Sequence, residues 1–577
     1  MQKQVVLPRL KRPLNLPAVA SVVVSLIAST SVFAQSSASD ELLRQQERER
    51  QLRLQQEQVP DVRLQEPVAP AAILLPQNES PCFQIGRVNL VGEAAERFQF
   101  AVQSVVVGDD TPIGKCLGAN GINLVMTRVQ NAIVGKGFVT SRVLAAPQDL
   151  SSGELTLTVF PGRVRDIRFA PNTDPRGTKW NAIPIRSGDI LNLRDIEQGL
   201  ENFKRVPTAS ADIKIEAAEG EGAQPGQSDL VISYQQSFPF RVSVSVDDSG
   251  SKSTGKYQGG LTLSYDNWWT LNDLFYVSVN HDLGGGDHGA RGTRGGTVHY
   301  SVPFGYWTLS TTATRYRYFQ SVAGLNQTYV YSGTSSSNDL RLSRIVYRDA
   351  QRKTTMSVRA YLKESDNFID DTEVETQRRR TAGWELGVAH REFLGANTLD
   401  LNLTYRHGTG AFDALTAPED AFGEGASRPK VWNADVSLSV PFQLAQQNLR
   451  YLGALRAQWN ETPLVPQDRF AIGGRYSVRG FDGAMILSAD RGWTLRNDVG
   501  LILGGSGQEL YLGLDYGEVG GQSSQYLVGT KLAGTVLGLR GGILGGSYDI
   551  FVGQPIKKPD GFRTANTTAG FSLNWSY

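Results

Sequence analysis

Few residues in this sequence have the types and spacing that could support catalysis or metal binding. His281 and His288 flank a glycine-rich stretch that also contains Asp282 and Asp287, a pattern that could hold a metal ion. A third positioned ligand is absent nearby, and the glycines indicate a solvated loop, so we expect no metal there. No spacing favours a serine–histidine or paired-acid arrangement. We therefore expect neither a catalytic residue nor a bound cofactor.

The two cysteines of the chain, Cys82 and Cys116, could bind a metal, form a disulfide or stay as free thiols. Two cysteines alone lack the further ligands that a zinc site needs. If the chain is exported, it meets an oxidising compartment in which such a pair usually closes. We expect a disulfide between them, with two free thiols as the alternative.

The N-terminus carries an export signal. Basic residues precede an apolar run over residues 18–28, and the small residues Val32 and Ala34 follow at the spacing of a cleavage site. This predicts a signal peptide over residues 1–34 and a mature chain that begins at Gln35. An uncleaved anchor helix is the alternative, but the apolar run is short for a membrane span.

The elements that must position any functional residue are mostly segments of alternating apolar and polar side chains. Sixteen of them run from about Phe240 to Tyr577, joined by alternately short and long connections. Lipid offers no hydrogen-bond partners to the backbone, so a sheet can cross a membrane only when it closes on itself. One face of each strand then meets lipid and the other meets a wet lumen. The pattern predicts an all-β transmembrane barrel of sixteen antiparallel strands over residues 238–577.

The strand limits follow from where the alternation begins and ends in each segment. We place the strands at residues 240–248, 257–266, 272–282, 296–303, 306–316, 337–347, 353–364, 382–391, 398–408, 432–441, 450–459, 493–503, 509–517, 527–538, 544–552 and 568–577. The short connections are expected on the periplasmic side, and long ones such as 409–431 and 460–492 on the outside. An exported barrel implies the outer membrane of a Gram-negative cell. The net charge of +1 implies no nucleic-acid partner.

The segment before the barrel reads as a polar helix, a tether and two small repeats. Residues 35–58 contain a run of good helix formers with few apolar residues, too polar for a dry core but suited to plugging a barrel lumen. A solvated periplasmic helix is the equal alternative. The proline-rich residues 59–80 predict an extended linker. Residues 81–163 and 164–237 each predict a small α+β unit, because helical spacing alternates with short strands.

One strand of the barrel carries an inward carboxylate. In the segment Glu509–Gly517, Leu510, Leu512 and Leu514 share one parity, whereas Asp515 shares the other with its glycine neighbours Gly513 and Gly517. Asp515 therefore faces the lumen with room for an incoming side chain. Asp498 is predicted to face inward on the preceding strand and competes for the same role.

Several strings of residues, in this order, resemble one protein family. They are Pro81-Cys82-Phe83, Cys116-Leu117-Gly118, the segment 137–142, the segment 147–150 and, in the longest outer loop, Val478, Arg479, Gly480 and Phe481. With two small units before a sixteen-stranded barrel, the chain resembles the two-partner secretion B-components of the outer-membrane assembly-factor superfamily. The polar helix and the segment 59–64 look most like the branch that transports haemolysins and contact-dependent inhibition toxins. The small units resemble polypeptide-transport-associated (POTRA) domains.

The resemblance implies a role for the loop residues. In such proteins the loop folds back into the lumen and its arginine meets an acidic group on the wall, which assigns Arg479 to Asp515, with Asp498 as the alternative. The family motif usually has an aromatic residue where this chain has Gly513, so the local packing is expected to differ. Without the resemblance, Arg479 reads as a solvated loop arginine. Because the lumen is wet, we expect this pair to be worth only about 1–3 kcal/mol.

The resemblance also implies a function and partners. It predicts a monomeric transporter that secretes one large exoprotein bearing an N-terminal secretion domain. Outer-membrane lipids and the barrel-assembly machinery are the other expected partners. A barrel insertase and a diffusion porin are the alternatives; the first usually carries more periplasmic repeats, and the second has no reason to carry any.

Overall fold

The computed structural model describes residues 39–58, 60–64 and 74–577. The expected signal peptide, its cleavage site and part of the expected linker lie outside these ranges. The first described element is a helix over residues 39–56, named α1, which lies inside the barrel. Within residues 39–58, 60–64 and 74–577, no helix is long and apolar enough to cross a membrane.

The first α+β unit is a three-stranded sheet covered by two helices. Its elements, in chain order, are β1 (Phe83–Gln84), β2 (Arg87–Gly92), α2 (Gln99–Val106), β3 (Cys116–Leu117), α3 (Ala119–Val134), β4 (Arg142–Leu144) and β5 (Glu154–Phe160). The sheet order is β2-β5-β4, and β1 pairs separately with β3. Val125, Val129 and Ile133 recur every fourth residue of α3, so they share the face that packs on the sheet.

The predicted disulfide is confirmed: Cys82 and Cys116 are joined across the pair β1–β3. The two residues are 34 positions apart in the sequence. Closing a loop of that length stabilises the fold by about 3–4 kcal/mol in the chain-entropy model.

The second α+β unit repeats the plan and lies against the barrel. Its elements are β6 (Arg163–Phe169), α4 (Lys179–Ala182), α5 (Leu193–Phe203), β7 (Ala209–Ala217) and β8 (Gln227–Gln236). The sheet order is β6-β8-β7, with β6 and β8 parallel. The side chain of Asn192 caps α5 by accepting a hydrogen bond from Arg194 N, and Ile196, Leu200 and Phe203 fill the core. The short helix α4 is not predicted by the sequence pattern.

The rest of the chain forms a closed antiparallel barrel. Its sixteen spanning strands are β9 (Phe240–Asp247), β10 (Gln258–Asp266), β11 (Leu274–Asp282), β12 (Arg291–Phe304), β13 (Trp307–Ala323), β14 (Thr328–Arg348), β15 (Arg352–Ile369), β17 (Arg379–Leu394), β18 (Asn397–Thr409), β19 (Lys430–Leu444), β20 (Gln447–Asn460), β23 (Arg491–Leu503), β24 (Gln508–Gly520), β25 (Lys531–Ile543), β26 (Gly546–Lys557) and β27 (Thr568–Ser576). Three short strands belong to the outer loops: β16 (Thr372–Glu373), β21 (Phe470–Ile472) and β22 (Leu487–Ala489). The predicted strand number and order are confirmed.

The largest difference from the predicted limits concerns β14. The sequence pattern places this strand at 337–347, whereas β14 runs over Thr328–Arg348. The strand predicted at 527–538 is also shifted, since β25 runs over Lys531–Ile543. The outer half of β14 is rich in serine, threonine and tyrosine and lacks the apolar alternation that lipid imposes. Outside the membrane, a strand is stabilised by hydrogen bonds to its neighbouring strands and needs no lipid-facing apolar side chains. The outer half of β14 remains paired with β13 and β15.

Candidate functional site: the barrel lumen and its two inserts

Two segments enter the lumen of the barrel, the helix α1 and the outer loop 461–490 that connects β20 to β23. Barrel strands direct alternate side chains inward, so both segments meet a wall of polar and charged groups. The loop and the helix also touch each other. Arg44 of α1 donates to the carbonyl oxygen of Gly483 at 2.7 Å, and Gln46 donates to that of Gln467 at 3.3 Å.

The inward loop has a small apolar core of its own. Its strands β21 and β22 pair antiparallel and pack against β23 and β24. The core side chains are Phe470, Ile472, Val478, Phe481, Leu487, Ala489, Val519, Leu532 and Phe562. The rings of Phe481 and Phe562 meet edge to face with centroids 5.6 Å apart. Burial of these side chains holds the loop inside the lumen independently of any charge.

Arg479, at the inner tip of the loop, contacts Asp515 of β24 through three hydrogen bonds. Arg479 Nε lies 2.7 Å from Asp515 Oδ2 and Nη2 lies 2.8 Å from Asp515 Oδ1, which is the two-point geometry of a guanidinium on a carboxylate. The backbone N–H of Arg479 also donates to Asp515 Oδ2 at 2.9 Å. The side-chain contact sets the direction of the loop as well as its distance from the wall.

Asp498 of β23 contacts the same guanidinium instead of competing for it. Arg479 Nη2 lies 2.5 Å from Asp498 Oδ1, and Arg540 Nη1 lies 2.9 Å from Asp498 Oδ2. Arg540 Nη2 in turn lies 2.6 Å from Glu509 Oε1. The two carboxylates that the sequence analysis treats as alternatives are therefore both partners in one charge cluster.

The expectation of a wet, weak pair is wrong for this site. The side chain of Arg479 is 2% exposed and that of Asp515 is 1% exposed. Removal of one partner from a buried pair leaves an uncompensated charge and costs about 3–5 kcal/mol. The groups around the pair leave almost none of it exposed, which the parity of the wall residues alone could not reveal.

Glycines make the space for the tip of the loop. A Cβ atom on Gly513 would lie 2.7 Å from Arg479 Nη2, so an aromatic residue there would displace the guanidinium. A Cβ atom on Gly517 would lie 2.7 Å from Val478 Cγ2. Gly480 has a φ of +94°, a conformation that other residues rarely adopt. A Cβ atom on Gly480 would also lie 2.5 Å from the carbonyl oxygen of Gln554.

The outer half of α1 is held by one buried carboxylate. Glu41 accepts hydrogen bonds from Tyr316 of β13 at 2.7 Å and from Thr254 at 3.0 Å, and it pairs with Arg48 at 2.8 Å. Gln45 accepts from the hydroxyl of Ser335 at 2.8 Å. The helix therefore lies close to β13 and β14.

From Glu47 onward, α1 carries ion pairs to three strands, β14, β19 and β20. Arg53 pairs with Asp339, Arg50 with Asp435 and Glu47 with Arg456, at distances of 2.7, 2.7 and 2.8 Å. Near its end, Glu57 accepts from Tyr276 at 3.2 Å. Most of these groups are partly exposed to a cavity of about 1810 Å³ beside the helix, lined by α1, the loop and strands from β14 to β23. The predicted position of the polar helix in the lumen, instead of the periplasm, follows from these contacts.

The described end of the linker, residues 60–64, is held between the second α+β unit and the barrel. The N–H groups of Val62 and Leu64 donate to Glu201 and Glu197 of α5 at 3.0 and 2.8 Å. Arg348, at the periplasmic end of β14, donates to the carbonyl oxygen of Val62 at 2.7 Å and pairs with both glutamates. Asp61 pairs with Lys353 of β15 at 2.6 Å.

The other candidate residues are not gathered into a site. His281 is largely exposed at the outer end of β11, where its Nδ1 lies 3.7 Å from Asp282 Oδ2. Among residues 39–58, 60–64 and 74–577, no group of three or more metal-binding side chains is arranged to hold an ion. Arg348 could not be found from the sequence, because it lies in no motif and its partners are distant in the chain.

The sequence matches known proteins along most of its length. Residues 226–541 match the family described as haemolysin secretion/activation protein ShlB/FhaC/HecB. Residues 83–162 match the ShlB-type POTRA domain and residues 163–217 match a POTRA domain. The chain belongs to this family. The predicted resemblance to two-partner secretion B-components is therefore confirmed.

Individual relatives agree with the family. The outer membrane transporter CdiB-2 of Burkholderia pseudomallei is 38% identical over 523 residues, which cover 87% of this chain and 88% of the relative. The haemolysin transporter protein ShlB of Serratia marcescens is 26% identical and covers 78% of each chain. The solved structure of CdiB from Acinetobacter baumannii has 32% identity and a TM-score of 0.81 over 94% of this chain and 99% of that chain.

The transporter is thus an outer-membrane protein of two-partner secretion with its POTRA domains in the periplasm. This family serves secretion and transport, which favours the predicted function over a barrel insertase or a diffusion porin.

Proposed function

We propose that one large exoprotein crosses the outer membrane through the lumen, after α1 has left it. The observation that carries this proposal is the contrast between α1 and its surroundings. The helix lies within the lumen, and apart from the buried cluster around Glu41 its ion pairs to the wall are partly exposed, with a cavity of about 1810 Å³ at its side. Contacts of this kind contribute little each and exchange readily with water.

The POTRA domains would capture the exoprotein before it enters the lumen. Strand β7 pairs only with β8 in the described sheet of the second domain, so its outer edge offers unpaired backbone groups. An unfolded segment can add to such an edge as a further strand, with little dependence on its sequence. We place the domain limits at 35–58 for the plug, 59–80 for the linker, 81–163 and 164–237 for the POTRA domains, and 238–577 for the barrel.

The exoprotein would be of the haemolysin or contact-dependent inhibition class, because relatives of both names match this chain. It would carry an N-terminal secretion domain for the POTRA domains to recognise. The transporter would act as a monomer, since the barrel closes within one chain. Lipids would surround the barrel, and the barrel-assembly machinery would insert it. The docked loop, through Val478, Arg479, Gly480 and Phe481 against Asp515, Gly517 and Asp498, would brace the wall during transport.

Site-specific cross-linking tests the pathway. Ala389 faces the cavity on β17, whereas Leu386 on the same strand is 50% exposed toward lipid. A photo-reactive residue at position 389 should cross-link to an exoprotein that is stalled by a folded domain at its C-terminal end. The same residue at position 386 serves as the matched control and should give no adduct. Adducts at both positions, or at neither, would contradict passage through the lumen.

A further inference from the structure

The helix α4 of the second POTRA domain is fixed to the periplasmic turns of the barrel. Asn181 donates from Nδ2 to the carbonyl oxygens of Leu271 and Pro303 at 2.5 and 3.2 Å, and its own carbonyl oxygen accepts from Gly305 N at 2.7 Å. Asn272 donates to Asn181 Oδ1 at 2.9 Å. Asn181 and Asn272 are each 1% exposed, so this contact is a buried polar clamp in which both Asn181 side-chain atoms are hydrogen-bonded.

The clamp places Trp180 on the outer surface of the barrel wall. Its ring meets that of Phe304 edge to face, with centroids 5.6 Å apart. Phe304 ends β12 and shares the parity of Val298, which is exposed on the lipid side, whereas His299 and Ser301 share the luminal parity. A side chain of the periplasmic domain therefore lies against a residue that faces lipid.

Further aromatic side chains lie at the periplasmic end of β11, the strand that pairs with β12. The first periplasmic turn carries Trp268 and Trp269, whose rings stack with centroids 6.3 Å apart. Trp268 packs edge to face on Phe275 at 4.6 Å, and Phe275 is on the outward parity of β11. Tryptophans at the ends of transmembrane strands sit at headgroup level, with the ring in the apolar boundary and the indole N–H toward water. Trp180 is 64% exposed and Trp269 is 63% exposed, which is unusual for so large an apolar ring in a purely aqueous setting.

We propose that Trp180 inserts into the headgroup region of the periplasmic leaflet, so that the second POTRA domain binds phospholipid as well as the barrel. The occupant is a lipid surface because the Trp180 ring lies against Phe304 on the lipid side of β12, and because Trp268 and Trp269 lie at the same periplasmic end of the neighbouring strand β11. The polar clamp fixes the height of Trp180 relative to the strand ends. Contacts with the barrel turns and with lipid would together fix the angle of the domain to the membrane plane.

A fluorescent label reports the depth of position 180 directly. Both cysteines of the chain are in the disulfide, so Trp180→Cys in the full-length chain gives one reactive thiol. The labelled protein is reconstituted in vesicles of phosphatidylethanolamine and phosphatidylglycerol, with a headgroup-level nitroxide lipid in both leaflets as quencher. Trp269→Cys is the control at the barrel rim, and Lys214→Cys, on an exposed position of β7, is the control in the same domain. Retention of the disulfide and of heat-modifiable barrel migration shows that each variant is folded.

The label at position 180 should be quenched by the nitroxide lipid to about the extent seen at position 269, while that at position 214 stays bright. Quenching at 180 no greater than at 214, with 269 quenched, overturns the proposal. A label at 180 that ignores the lipid but becomes shielded from a water-soluble quencher when unfolded exoprotein is added also overturns it, because the surface would then serve the exoprotein. The measurement needs no secretion, so its outcome is independent of the proposed transport pathway.

Discussion

The loop 461–490 and the helix α1 occupy the same lumen, but they are attached to it in different ways. The loop has an apolar core, and its buried Arg479 converges on two carboxylates. The helix has one buried cluster at Glu41, and its other polar contacts are spread over separate strands and mostly touch the cavity. A buried, convergent contact resists removal as a unit, whereas dispersed exposed contacts can be lost one at a time. The proposed withdrawal of α1 past a retained loop rests on this difference.

The largest expected effect comes from Asp515→Ala. This change removes three hydrogen bonds to Arg479 and leaves a buried guanidinium with Asp498 alone, at a cost of about 3–5 kcal/mol in loop docking. The barrel should still insert, because sixteen paired strands hold it, but secretion should fall strongly. Limited proteolysis within 461–490 and an exoprotein secretion assay measure the two effects.

Two further variants sharpen that result. Asp498→Ala should have a smaller effect, since Arg479 keeps its two-point contact with Asp515. The double variant Arg479→Ala with Asp515→Ala should be no worse than either single change, because the partners act through one contact. Additive losses in the double variant would mean that the two residues act separately.

Raised salt should weaken the attachment of the helix more than that of the loop, with a smaller effect than the substitutions above. Raising ionic strength from about 0.1 M to about 1 M shortens the screening length from about 10 Å to about 3 Å, which weakens exposed pairs far more than buried ones. Single-channel recordings of the full-length chain should show more frequent large openings as α1 leaves. Proteolysis of the loop should stay unchanged. Equal responses of loop and helix would break the comparison.

A single helix contact should matter less. Glu47→Ala removes the pair with Arg456, in which both side chains are partly exposed, and should cost about 0.2–1 kcal/mol. The frequency of large openings should therefore rise by less than about six-fold, with secretion retained. Glu47→Gln keeps the length of the side chain and is the control for charge. A complete loss of plugging from this one change would contradict a dispersed attachment.

The smallest effect is expected at Leu54, on the same helix. Its side chain is 54% exposed toward the cavity, and Leu54→Ala also improves helix propensity slightly. The change should shift the opening equilibrium by less than about 0.5 kcal/mol. An opening frequency altered as much as by Glu47→Ala would show that apolar contacts, not charges, retain the helix.

The barrel could be predicted from the sequence because lipid imposes a period of two on every spanning strand. That period also places Asp515 and Asp498 on the luminal face. Outside the membrane the side chains no longer follow this period, so the outer half of β14 could not be predicted. The period says nothing about what covers the luminal face, so the burial of Arg479 could not be foreseen.

Contacts between distant segments also lie beyond local patterns. The clamp of Asn181 on the barrel turns joins residues about ninety positions apart, and Arg348 meets Glu197 at a separation of 151. An isolated tryptophan in the polar segment that holds α4 is the one local sign that could have drawn attention to Trp180. Its partner Phe304 carries no mark that distinguishes it from other strand-end aromatics.

The docked linker sets a limit on how far the plug can travel. Only residues 57–59 lie between the end of α1 and the segment 60–64 that Arg348 and α5 hold. Four fully extended peptide steps reach at most about 14 Å, whereas the eighteen residues of α1 span about 27 Å. As an intact helix, α1 therefore cannot clear its own length while the segment stays docked. Undocking must come before full withdrawal, and any force that lifts the second POTRA domain from Arg348 supplies the slack.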